Sequence, residues 1–181
     1  MHSTRQVRCD ASAMKFQAAA LVATAIGCSA GDGHARGSDS AAAAQTQTPA
    51  AATSVASEGE QLYQRCVTCH QANGQGLTGA FPPLAGSEYA TAANVAVPIR
   101  VVIHGMEGPV TVKGTQYNGL MPPYGVGIAM SDRQVVAVLT YVRSSWGNNA
   151  SAITAEQVAA ERAATRAASG PVTAEELAAL M

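Results

Sequence analysis

The sequence predicts an all-α domain, and three observations predict it. Apolar residues Val135, Val138, Leu139, Val142 and Trp146 recur at helical spacing and form a stripe meant for burial. Capping boxes at Ser57, Ser131, Thr154 and Thr173 each set a Glu or Gln three residues on, the local signature of a helix start. Strand-like alternation is confined to Val110–Tyr117 around Lys113-Gly114, which suggests one small hairpin within a helical frame.

In chain order, residues 1–28 read as an export signal. Arg5, Arg8 and Lys15 give a basic start, and Phe16 to Gly27 is an uncharged run too short to span a bilayer. The run ends at Gly27-Cys28, which resembles a bacterial lipoprotein signal with Cys28 as the lipid-anchored N-terminus. Ala25 and Ile26 depart from the usual pattern, and Met14-Lys15 makes a tidier start. Residues 29–56 are rich in Ala, Ser, Gly and Thr without apolar periodicity, as expected of a disordered tether. Such a tether spans about 30 Å on average.

Order is expected over 57–149, with a helical extension over 150–181. The first helix is read from Glu58 to about Cys66, with Gly59 and Tyr63 on one face against Val138 and Tyr141 of a later helix. It leads into Cys66-Val67-Thr68-Cys69-His70. Two cysteines two apart, then histidine, read as a c-type haem attachment site: two thioether bonds from Cys66 and Cys69, and iron coordination by His70. A zinc ribbon needs a second ligand pair, and no other CxxC exists. A redox dithiol needs a surrounding βαβ pattern, which is absent.

The Gly- and Pro-rich stretch after His70 suits a loop around a haem edge, with the Pro82 or Pro83 carbonyl available to the His70 Nδ1 proton. A second helix is expected from Val95 to His104, capped by Asn94 and stopped by Gly105, with Val101, Val102 and Ile103 in the core. Met121 stands before Pro122-Pro123, and proline holds its predecessor extended. A thioether on a stiff loop suits a sixth iron ligand. Met106, Met130 and His104 are the alternatives. A last core helix runs from Ser131 to about Ser145, and Val158, Leu177 and Leu180 of the extension are free to pack on the domain or face a partner.

Composition narrows the function classes. Between Ser54 and Asn149 five basic residues balance five acidic ones, so nucleic acid is not an expected partner and docking should be apolar. Aromatic residues are only 4% of the chain, so a buried haem would complete a small core. If Cys66 and Cys69 hold haem, only leader cysteines Cys9 and Cys28 are left.

The order helix, CVTCH, proline loop, helix, Met loop and final helix resembles a class I cytochrome c. FPPLAGS, YNGLMPPYG and LTYVRSSWGN are similar to the cytochrome c subunits of bacterial quinoprotein alcohol and sugar dehydrogenases, over about Ser57 to Asn149. The resemblance implies a class I cytochrome c fold with about three core helices around one covalent haem c. It also implies Cys66 and Cys69 as attachments, His70 as proximal ligand and Met121 as distal ligand. It further implies an extracytoplasmic (periplasmic) electron carrier rather than an enzyme, serving a quinoprotein dehydrogenase or a terminal oxidase. The competing expectations are a five-coordinate peroxidase or gas sensor, and a haem-free dithiol oxidoreductase.

Overall fold

A computed structural model describes residues 49–124 and 129–181. The export signal, the Cys28 anchor and the tether as far as residue 48 lie outside the described residues. Helix α1 spans Pro49–Tyr63. It therefore starts at Pro49 and not at Glu58, and residues 49–56 are helix where a tether was expected. Proline at the first helical position loses no hydrogen bond, and the alanines that follow have the highest helix propensity. Val55 also packs on the core, so the Ser57 box lies inside a helix and starts nothing.

α1 ends at Tyr63, three residues before Cys66. The next three amides tighten onto i−3 carbonyls, ending with Cys66 N–H to the Tyr63 carbonyl at 2.7 Å. A single helical turn, α2 (Val67–His70), follows. Residues 71–95 make turns, with a short Leu77–Phe81 bridge.

Helix α3 is Ala96–His104. Asn94 Oδ1 accepts the Ala96 N–H at 3.1 Å, and Gly105 ends the helix with φ 74°. Its deepest residues are Val97, Ile99 and Ile103. Val101 and Val102, expected in the core, are half-buried: they pack against the core clusters and also line a cavity. Strands β1 (Met106–Val112) and β2 (Thr115–Met121) pair antiparallel, with Val112 opposite Thr115 and Met106 opposite Met121. Lys113 and Gly114 both have positive φ, the two-residue turn whose twist matches the strands.

Helix α4 (Asp132–Ser144) begins with the expected Ser131–Gln134 capping box. Val135, Val138, Leu139 and Val142 are buried as their spacing predicts. α4 packs on α1 across Gly59, where an added Cβ would overlap the Ala137 carbonyl and sit 2.7 Å from Tyr141 Cβ. Tyr141 is the expected neighbour, but Ala137 takes the place assigned to Val138. Tyr63, Tyr141 and Trp146 meet in tilted and edge-on pairs with ring centroids 5.0 to 5.5 Å apart.

The extension folds back on this frame as α5 (Ala155–Ala164) and α6 (Ala174–Ala178), each with its expected capping box. Val158 and Leu177 are fully buried, Val158 in the main core and Leu177 against Val97 and Ala92. Among the described residues no helix is long and apolar enough to cross a membrane.

Candidate haem site

Cys66, Cys69 and His70 lie on the wall of an open, apolar cavity. Val101 and Val102 of α3, Val110 and Tyr117 of the hairpin, and Val138 and Val142 of α4 supply much of the remaining wall. The one-turn helix sets the motif's geometry: His70 N–H bonds the Cys66 carbonyl at 2.8 Å, so the cysteines and the imidazole share one turn.

His70 is 8% exposed, and its Nδ1 lies 2.9 Å from the Pro82 carbonyl. A carbonyl only accepts, so Nδ1 carries the proton and Nε2 keeps its lone pair. Of the two prolines offered by sequence, the fold uses Pro82. Burial lowers the His70 pKa against the opposing pull of that bond, which favours the neutral imidazole that a metal requires. Gly76 makes the acceptor possible. Its φ is 63°, and an added Cβ would overlap the Phe81 carbonyl and sit 2.6 Å from that of Pro82.

Two residues outside the motif hold the turn that follows it. Tyr63 Oη donates to the Gln71 carbonyl at 2.7 Å, and Trp146 Nε1 donates to the Ala72 carbonyl at 3.1 Å. Gly74 lies flat against the Trp146 ring, 2.5 Å from where its Cβ would be. No local pattern marks these contacts, since Trp146 comes from the turn just past α4, more than seventy residues away. The positive φ of Gln71 is the strain they maintain.

The cysteines are free and half-buried. Burial and the neighbouring Cys69 push the Cys66 pKa up to about 11, with Arg65 opposing. A redox dithiol needs the reverse, a thiol shifted toward thiolate. Among the described residues no three His, Cys, Asp or Glu cluster as a metal site.

Met121 ends β2, half-buried, and lines the same cavity. Met106 and Met130 line it too, and Met130 is 2% exposed. The cavity thus gathers all three methionines that the sequence offered, and Met121 alone precedes two prolines. His104 stands apart, with Nε2 2.7 Å from Thr165 Oγ1 on the far side of α3 and its side chain outside the cavity lining. The residues fit a haem. The motif supplies two thiols and a free imidazole nitrogen, and the remaining wall is almost wholly apolar.

Comparison with known proteins agrees. The cytochrome c family model matches residues 56–146. Cytochrome c-552 of Thermus thermophilus is 38% identical over 94 residues, which cover 50% of this chain and 70% of that protein. The cytochrome c subunit of the quinone alcohol dehydrogenase of Gluconacetobacter polyoxogenes is 30% identical over 91 residues, 50% of this chain but 19% of the subunit. The fructose dehydrogenase cytochrome subunit of Gluconobacter japonicus is 28% identical over 111 residues, 59% of this chain and 22% of the subunit. The chain therefore spans only about a fifth of the dehydrogenase subunits it matches. With the family model covering half the chain and the motif built as described, this chain belongs to the cytochrome c family.

Proposed function

We propose that this protein is a one-electron carrier with a single haem c, bound through Cys66 and Cys69 and ligated by His70 and Met121. Bound haem supplies an iron that cycles between ferric and ferrous states. Cys66 and Cys69 fasten the group in one orientation. His70 presents Nε2 to the iron while Pro82 holds its other nitrogen, which fixes the ring and raises its basicity. Met121 offers a thioether, which favours ferrous iron and raises the potential. The apolar wall would keep water from the bound group, and with His70 and Met121 both holding it the protein would relay electrons and make no bonds.

The observation that carries this reading is one cavity lined by Cys66, Cys69, an oriented His70 and Met121. The proposed donor is a quinoprotein alcohol or sugar dehydrogenase, in keeping with the similarity to cytochrome subunits of a quinone alcohol dehydrogenase and a fructose dehydrogenase, and the acceptor a terminal oxidase outside the cytoplasm. Cys28, lipidated, would keep the carrier at the membrane. Docking falls on the cavity wall, where Phe81 and Leu120 are exposed apolar residues, Phe81 being bridged to exposed Leu77.

The test is absorption spectroscopy of the haem-loaded protein in both redox states, followed by carbon monoxide. A six-coordinate ferrous form that takes up the gas slowly is expected, and Met121→Ala should open the site. Rapid uptake by the unaltered protein would instead favour a five-coordinate gas binder or peroxidase.

A further inference from the structure

Three facts link the C-terminal extension to the segment that carries Met121. That segment leaves α3 at Gly105 and re-enters helix at Ser131. At its start, Val172 N–H donates to the Gly105 carbonyl at 3.0 Å, and the Val172 carbonyl accepts from Glu107 N–H at 3.0 Å. Val172 thereby bridges in parallel to Met106, the residue opposite Met121 in the hairpin. At its end, Arg162 Nη2 donates to the Met130 carbonyl at 2.6 Å, while Arg162 Nε pairs with Asp132 at 2.6 Å. Met130 N–H in turn donates to the Tyr124 carbonyl, three residues past Met121. The extension is itself firmly seated, because Val158 and Leu177 beside these two grips are fully buried.

An isolated two-stranded hairpin is marginal in water, so β1 and β2 need such support to hold one position. From this bracketing we propose that Arg162 and Val172 are positioning residues for the distal ligand: they hold both ends of its segment and set the fraction of molecules in which Met121 stays on the iron. The proposal rests on the reading of Met121 as that ligand. The extension then acts on ligation through two polar contacts, beyond its part in the core. Losing a charge-assisted grip raises the released population about tenfold.

The experiment uses haem-loaded, full-length protein carrying Arg162→Gln, Val172→Pro, or both. The readouts are the rate of carbon monoxide capture by the ferrous form and the iron–thioether charge-transfer absorption of the ferric form. Arg162→Gln should capture the gas about tenfold faster with weaker absorption, the double variant faster still, and Arg162→Lys should restore part of the difference. Arg100→Ala breaks the Arg100–Glu161 pair, which joins α3 to α5 and includes no residue of the Met121 segment, and should leave both readouts unchanged. Wild-type capture and absorption in Arg162→Gln, even with a lower melting temperature, would overturn the proposal. Met121→Ala run alongside separates the two failures, because unchanged spectra there would sink the ligand assignment itself.

Discussion

Gly105 and Met121 meet backbone to backbone. An added Cβ on Gly105 would overlap the Met121 carbonyl and lie 2.9 Å from the Pro123 nitrogen, and Gly105 has φ 74° and ψ −178°. Only glycine visits that region freely. The residue that ends α3 is therefore also the floor of the methionine loop. Gly105→Ala should cost about 1–3 kcal/mol in backbone strain alone. It should also displace Met121, so that carbon monoxide capture by the ferrous protein accelerates. Denaturant melts and gas-binding kinetics on one preparation check both effects.

The cavity wall makes a prediction about docking. Leu120 is 64% exposed, so Leu120→Lys should leave stability unchanged. Loss of one apolar contact at the centre of a docking face should slow electron exchange with the partner roughly fivefold to tenfold. The new charge should also make a salt-insensitive reaction depend on ionic strength. Stopped-flow exchange against a physiological partner, over a salt series, reads both.

Arg143 is 1% exposed, and its hydrogen bonds go to neutral oxygens: the carbonyls of Ala90, Ala92 and Ser151, at 2.8, 3.0 and 2.7 Å, and more weakly Ser151 Oγ. Burial lowers its pKa. It is a clamp between the loop before α3 and the start of the extension. Arg143→Met should destabilise the fold by about 2–4 kcal/mol, because buried carbonyls lose their donor. Arg143→Lys should recover little, since one ammonium cannot replace a planar fork that reaches separate segments. Urea midpoints decide this.

His104 should give stability an acid limb. Burial, then Arg100 and Arg162, lower its pKa, so the folded chain holds it neutral where the unfolded chain takes a proton. This cost is absent above the unfolded value of about 6.5, and it grows as pH falls from there through the folded value. His104→Gln cannot titrate and should flatten that part of the curve. Denaturant midpoints of the haem-loaded protein between about pH 5 and 7 give the comparison.

Features legible in the sequence were those whose partners lie within a turn. The boxes at Ser131, Thr154 and Thr173 form as written because each needs only residues i and i+3. The same pattern at Ser57 failed because the alanines before it continue the helix. No local pattern sets Arg143 apart from the other charged residues. Its burial depends on Ala90 and Ala92, some fifty residues away. Likewise the extension's open choice, domain or partner, was settled by Val158 and Leu177 going into the core.

The sequence by itself determined the haem-attachment motif, the extended backbone at Met121 and the positions of most helices, because these follow from bond geometry and spacing along the chain. Only the tertiary structure decided that the Pro82 carbonyl accepts the hydrogen bond from His70 Nδ1–H, that the methionines share one cavity, and that Arg162 and Val172 reach back to the ends of the Met121 segment. Those contacts join residues far apart in sequence, and their existence depends on how helices pack around a common centre.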